Sequence, residues 1–327
     1  MIPDLLNFKM KNILFILFST FVMASPKDTL PSPNWIYSFK LPTAALEDCD
    51  SCGCSASGGS MGFASLLNSN FIGVRYFYQH YKTNDGLYSN SPWYDEYYQT
   101  TQLWTRIPIT SKIQISAIVP YHFHQRQTVN GTEPISGLGD VTVMGLYQLY
   151  QSVKKDSTAF SHTLHLGGGV KAPTGTYDIG NNGSINPGYQ LGTGSWDGLI
   201  LTEYTLRKND FGLNLMANYT VKSANDKGYR FGNQLNYGGT IFYLWERNQN
   251  TFSPQLGLNG EVYEFNFQHG QKVQETAGSI LFSKIGFEWG IGKWSLGSNL
   301  LVPLRQNLIA GNVEAKLRFA LNVNYAL

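Results

Sequence analysis

The sequence predicts an all-β protein, a transmembrane antiparallel up-and-down β-barrel of about twelve strands (roughly ten to fourteen), behind an irregular N-terminal leader. Three observations lead there. Charged residues make up only 14% of the 327-residue chain, against about 25% in ordinary soluble domains, while aromatics also reach 14%. Mean hydropathy is nevertheless −0.21, so the chain is half polar rather than broadly apolar. Apolar and polar residues alternate with period two in successive segments of about ten residues, the length of a tilted membrane strand. Short and long connections between those segments then alternate along the chain.

The elements begin with a leader. Residues 10–25 read MKNILFILFSTFVMAS, in which Lys11 supplies a positive flank and Ile13 to Val22 a short apolar core. Val22-Met23-Ala24 has the small-x-small pattern of a cleavage site, so residues 1–24 are expected to be a signal peptide cut after Ala24. The competing reading, a membrane anchor, needs about 20 apolar residues and the run falls short. No later stretch approaches 18 continuous apolar residues, which excludes a bundle of membrane helices. Residues 25–69 are expected to form a periplasmic leader that holds all three cysteines and is a candidate plug; residues 70–327 form the barrel.

The strands are expected near 70–82, 96–109, 112–126, 138–151, 160–172, 195–207, 210–222, 233–247, 252–265, 278–290, 293–304 and 313–327. In the third, Ile113, Ile115, Ala117, Val119, Tyr121 and Phe123 alternate with Gln114, Ser116, Ile118, Pro120, His122 and His124. In the last, Ala315, Leu317, Phe319, Leu321, Val323, Tyr325 and Leu327 form the apolar face. A soluble β-sandwich also alternates, but its outward polar face carries many charges. Here the polar faces are mainly Asn, Gln, Ser, Thr and Gly. Aromatics near strand ends, among them Tyr98, Trp104, Tyr147, Tyr243, Trp245, Trp289 and Trp294, read as an interfacial girdle.

The connections at 110–112, 208–209, 248–250 and 290–292 are tight. QTVNGTEPIS, PTGTYDIGNNGSINPGYQLGTG, KSANDKGYRFGN and NFQHGQKVQETA are long. Short periplasmic turns opposite long outer loops are the pattern of an outer-membrane barrel, and an even strand count puts both termini in the periplasm. The last strand must pair with the first, because an unpaired backbone group in hydrocarbon costs several kcal/mol. The outer-membrane assembly machinery usually receives barrels with a terminal aromatic; this chain ends on Leu327, with Tyr325 two before it.

Two motifs carry a resemblance. Gly137-Leu138-Gly139-Asp140 leads into a strand, and Gly167-Gly168-Gly169-Val170-Lys171-Ala172-Pro173-Thr174-Gly175 closes one. Together they resemble the outer-membrane barrel family named for the meta-pathway of phenol degradation, which is similar in turn to hydrophobic-compound barrels such as the long-chain fatty-acid transporters. The CDSCGC leader looks like a feature of a Bacteroidetes-type, Gram-negative subset. The resemblance implies an outer-membrane transporter. From the residues, Gly137 and Gly139 would let the chain turn into the strand through positive φ. Asp140, Thr142, Met144, Leu146 and Gln148 would face the lumen, and Lys171 would sit at its mouth below a strand-ending Pro173. Asp140 and Lys171 could solvate the rim, pin a loop or touch a solute.

Cys49, Cys52 and Cys54 lie in CDSCGC. In the periplasm two of them could form a disulfide, leaving one over. Three thiols are too few for a structural zinc site but could hold copper or another soft metal, with His122 and His124 facing the same lumen. No other cofactor is implied. Net charge is +2, which gives no electrostatic pull toward nucleic acid. Nucleotide-loop, metalloprotease and nucleophile-elbow patterns are missing, so no enzyme is expected. The expected function is a passive channel for small solutes, apolar or aromatic ones in particular, with outer-membrane lipid as its surroundings. The alternatives are a non-transporting metal-binding or scaffold barrel that uses the cysteine leader and, more remotely, a surface esterase or lipase.

Overall fold

The computed structural model describes residues 67, 69–84, 91–152 and 160–327. The strands are β1 (Phe71–Asn84), β2 (Trp93–Pro108), β3 (Ile113–Thr128), β4 (Gly131–Leu138), β5 (Val141–Gln151) and β6 (Ser161–Ala172). They continue with β7 (Asp197–Lys208), β8 (Phe211–Val221), β9 (Tyr229–Arg230), β10 (Gln234–Tyr243), β11 (Trp245–Arg247) and β12 (Asn250–Tyr263). The series ends with β13 (Phe267–Gln268), β14 (Gln271–Lys272), β15 (Gly278–Ile291), β16 (Trp294–Leu308) and β17 (Val313–Ala326). The barrel runs β1-β2-β3-β5-β6-β7-β8-β10-β12-β15-β16-β17, every neighbour antiparallel, and β17 returns to β1 from Phe71↔Ala326 to Thr83↔Val313. β4 lengthens the stave of β5 and β11 that of β10, so the closed wall has twelve staves. Closure leaves the wall without an edge, the condition a sheet must meet in hydrocarbon.

Tight turns and both ends of the described chain lie at one rim. Asn209, at φ 51°, occupies the left-handed region that Asn tolerates in a two-residue hairpin between β7 and β8. The opposite rim carries the long connections. Two of these are more ordered than loops. QTVNGTEPIS is a hairpin extension in which β3 and β4 pair from Tyr121↔Leu138 to Thr128↔Gly131. The connections 222–233 and 264–277 meet as a small sheet of β9, β13 and β14.

The outward face is apolar from rim to rim, with Val74, Leu103, Val119, Phe123, Val143, Leu166, Ile200, Leu256, Ile285 and Val323 all exposed. Around the short-turn rim the outward side chains become aromatic: Tyr147, Phe211, Trp245, Phe252, Trp289, Trp294 and Tyr325. That belt suits the headgroup level of a bilayer. Trp104 and Tyr98 do not belong to it. Both are buried in the lumen, Trp104 with its ring 4.4 Å from Phe71 and beneath the Arg75 guanidinium at 4.2 Å. β2 carries aromatics on both parities, so alternation alone did not separate its faces; Glu96, Gln102 and Arg106 share the buried parity. A second correction concerns β17. Its register against β1 shifts between His80 and Tyr81, and this bulge turns Val313 and Ala315 into the lumen while Phe319, Leu321 and Val323 stay on the other face.

The lumen is packed rather than hollow. Trp104, Arg106, Arg318, Tyr98, Tyr189, Phe71, Lys171 and Phe282 are among its fully buried side chains. Arg318 reaches from β17 to Glu261 on β12, donating to its two oxygens at 2.6 and 3.0 Å and to the Tyr81 hydroxyl at 2.6 Å. The guanidinium also lies 4.3 Å from the Phe282 ring. Arg318→Met should therefore strand the Glu261 carboxylate and cost about 3–5 kcal/mol, read as a lower urea midpoint. The double change Arg318→Met with Glu261→Gln should recover much of that loss; no recovery would show that the pair does not act as a unit.

Candidate functional site

The site builds up at the long-loop rim, where strand ends bring four charges together. β5 opens on Asp140, β6 ends beside Lys171, β7 begins at Asp197 and β8 runs out into Lys222. Period two turns all four inward, and all are buried. Lys171 Nζ lies 2.6 Å from Asp140 Oδ2 and 2.8 Å from Asp197 Oδ2; Lys222 Nζ lies 3.2 Å from that same Asp197 oxygen. Two carboxylates and two ammoniums balance. Such a group is tolerable in a dry setting only when its remaining hydrogen-bonding capacity is filled.

The connection from β6 to β7 fills it for Asp140 and Lys171. Asp140 accepts hydrogen bonds from the Thr193 amide and hydroxyl, each at 2.9 Å, and from the Gly175 amide at 3.0 Å. Lys171 also donates to the Thr193 hydroxyl. The Thr174 hydroxyl donates to Gly139 O at 2.6 Å and accepts from Val141 N at 2.9 Å. A Cβ on Gly192 would sit 2.5 Å from Asp140 Oδ1, and one on Gly175 2.4 Å from Leu191 O, so both strands of the loop base need glycine. The two sequence motifs are thus the two halves of one clasp, and Asp140 is its hub. Gly139 serves close approach rather than positive φ: a Cβ there would lie 2.2 Å from His122 Nε2.

From this clasp the loop crosses the mouth. Glu96, on β2, is wholly buried and accepts from Thr83 Oγ1 at 3.2 Å, Tyr98 Oη at 2.9 Å, Asn186 Nδ2 at 3.4 Å and the Ser184 hydroxyl. Arg126 donates to Gly183 O at 2.5 Å, and Tyr189 donates to Glu133 O at 2.7 Å. Burial pushes the Tyr189 hydroxyl well above its ordinary range. Asp178 and Gln190 lock the loop to itself, Asp178 N to Gln190 Oε1 at 2.9 Å and Gln190 Nε2 to Asp178 O at 2.7 Å. The segment 173–196 is therefore a built plug, tied to β5, β6 and β7 at its base and to β2, β3 and β4 at its tip.

Sequence reasoning placed Asp140 and Lys171 at the rim, and the structure unites them. His122 and His124 face the lumen below. His122 Nδ1 lies 2.8 Å from Thr100 Oγ1, and the His124 ring packs tilted between His122 and Tyr98 at 4.7 and 4.8 Å. Among the described residues no three His, Cys, Asp or Glu side chains are placed to hold a metal. Cys49, Cys52 and Cys54 lie outside the described residues, as does the proposed signal peptide. Glu96, Asp197 and Lys222 were not singled out from sequence. Their signal was a lone charge at a strand end beside a long loop, which is also how a solvated rim residue looks.

At the other rim Leu67 N donates to Glu288 Oε2 at 3.3 Å, and the Leu67 side chain packs with Phe242 and Leu244. Gln114 Nε2 donates to Asn70 Oδ1 at 3.2 Å. The chain thus enters β1 from inside the short-turn mouth.

A closed, lipid-faced barrel with a plugged polar lumen is an outer-membrane β-barrel. The sequence matches the family described as "Putative MetA-pathway of phenol degradation" over residues 74–302, and the chain belongs to that family. Its fold is similar to that of an outer membrane channel from Pseudomonas putida F1, with 17% identity, a TM-score of 0.58, and 80% of this chain and 97% of that chain covered. The β domain of a Bordetella autotransporter (11% identity, TM-score 0.46) covers 80% of this chain and is itself covered completely, at 100%. The NanC porin (13% identity, TM-score 0.42) covers 78% of this chain, again with 100% of its own. No curated protein matches the sequence.

Proposed function

We propose that the barrel is a narrow passive route across the outer membrane for small solutes, apolar or aromatic ones in particular. The carrying observation is the composition of the filled lumen. One wall presents Phe71, Trp104, Ile118, Met144, Leu146, Leu199 and Leu201 as a continuous apolar cluster. The wall formed by β8, β10 and β12 presents short amides: Asn214, Asn218, Asn236 and Asn259. A wall apolar on one side and amide-lined on the other offers a flat, weakly polar solute both of its preferred contacts. Packing this tight in a twelve-stave barrel restricts passage to small molecules. Both termini are periplasmic in this reading, the plug faces outward, residues 1–24 are removed on export and the assembly machinery inserts the barrel.

The test is osmotic swelling of vesicles holding the purified protein. Erythritol and benzenesulfonate should enter several-fold faster than into protein-free vesicles, and a disaccharide should not. Protein-free rates for every solute would overturn the proposal.

A further inference from the structure

The lipid-facing wall is not evenly convex. A groove of about 730 Å³ crosses its outer surface from β8 to β17. It starts at Phe211 and Tyr243, whose rings meet edge to face at 4.8 Å, and ends at Leu300 and Phe319. Phe211 is the first residue of β8, directly behind a tight turn, whereas Leu300 and Phe319 lie midway along β16 and β17. Between these ends the groove follows the ladder rungs Ile241↔Leu256, Leu256↔Ile285, Ile285↔Leu300 and Leu300↔Phe319. It therefore runs from the headgroup level towards the middle of the bilayer, through one leaflet. Five strand spacings of about 4.8 Å make it roughly 24 Å long, room for one extended acyl chain crossing a leaflet of about 15 Å obliquely. The short side chains of Pro254 and Ser298 form its trough. The headgroup end carries two exposed cations. Lys208 is the cross-strand partner of Phe211, and Arg247 stands one rung beyond Trp245↔Phe252. Among the described residues neither is in an ion pair; Lys208 Nζ lies 5.0 Å from the Phe160 ring. The acids of the same turns have neighbours of their own: Glu246 Oε1 lies 3.9 Å from Arg207 Nη2, and Asp210 Oδ2 accepts from Tyr243 Oη at 3.5 Å.

We propose that this groove is a binding site for one anionic phospholipid of the leaflet on the short-turn side. The phosphate lies between Lys208 and Arg247, and one acyl chain fills the groove. Each part of the lipid meets what it needs. A chain laid in a trough touches protein along its flanks as well as its base, so it gains more dispersion contacts than a chain resting on a convex wall. The phosphate accepts charge-assisted hydrogen bonds from an ammonium and a guanidinium. A headgroup with net negative charge is favoured over a zwitterionic one, because the two cations act on its whole charge. The site lies on the outside of the barrel and is separate from the lumen, so it stands apart from the conduit reading.

The experiment offers the purified protein, in mild detergent, equal amounts of dioleoylphosphatidylglycerol and dioleoylphosphatidylcholine. The two share their tails and differ in net charge, and native mass spectrometry reads the lipid retained. One lipid per barrel should stay bound, with phosphatidylglycerol favoured about tenfold. The paired change Lys208→Gln with Arg247→Gln should erase that preference and leave retention by the tail. Ser298→Phe, which fills the trough from the lipid side, should remove retention of both lipids. Heat-dependent gel mobility checks the fold; if Ser298→Phe does not fold, Pro254→Leu occupies the same trough and should act alike. Equal retention of the two lipids by the native protein, a folded trough-filled variant that holds lipid as the native barrel does, or a pair of barrels in place of bound lipid overturns the site. No solute crosses a membrane in this measurement, so lipid retention and vesicle swelling fail independently.

Discussion

Asp140→Ala should unfasten the plug. The substitution removes the acceptor for Lys171, for the Thr193 amide and hydroxyl and for the Gly175 amide together. Lys171 keeps Asp197, but the group changes from two charges of each sign to two cations and one anion, all buried. Breaking a buried pair from one side costs about 3–5 kcal/mol, and two backbone amides lose their partner as well. The expected results are a lower urea midpoint and protease cleavage between 173 and 196 that is faster than in the native protein. The barrel wall should survive, since none of its ladders runs through Asp140. Native protection of that segment in the variant would show that the tip contacts at Glu96 hold the plug unaided. Asp140→Asn is the milder control: it keeps the acceptor for Gly175 and the shape, and should lie between the two.

The fold was legible because a membrane barrel repeats one rule on every stave. Outward residues meet lipid, so alternation survives on that face with few exceptions, and strand lengths follow bilayer thickness. The twelve expected spans coincide with the twelve staves to within a few residues at nearly every end. What escaped were features decided by the inward face, which obeys packing rather than polarity. Trp104 and Tyr98 look like girdle residues in sequence but fill the lumen. Ala315 follows the apolar parity of its strand until a bulge moves it to the other face. The clasp was half legible. GLGD and K-x-PTG flag two strand ends and two tight glycines, yet their meeting depends on β5 and β6 pairing from Val141↔Ala172 downward, a register that no local pattern states. Glu96 was silent, because its partners Ser184 and Asn186 lie far along the chain and reach it only when the loop crosses the mouth.

Deleting residues 177–191 should open the outer mouth without dismantling its base. The join is short: Gly192 N already donates to Thr176 O at 3.0 Å, so Thr176 can pass directly to Gly192. Thr174, Gly175 and Thr193 remain, and with them every loop contact to Asp140. What is lost is the cover: Tyr189 against Tyr98 at 5.8 Å, its hydrogen bond to Glu133 O, the Gly183 carbonyl that Arg126 donates to, and the Ser184 and Asn186 donors to Glu96. Removing one fully buried tyrosine and the hydrogen bonds at the loop tip should cost at least about 3–5 kcal/mol, which a closed barrel ladder can absorb. Swelling rates for small solutes should rise several-fold, and a disaccharide excluded by the native protein should now enter. The comparison with Asp140→Ala separates two ways of obstructing a lumen. If the plug alone closes the route, both variants admit the larger solute. If the packed side chains below it, Trp104, Phe71 and the Arg318–Glu261 pair, set the bore, the plug can be cut away and the disaccharide will still be refused, which would move the selectivity of this barrel from its loop to its wall.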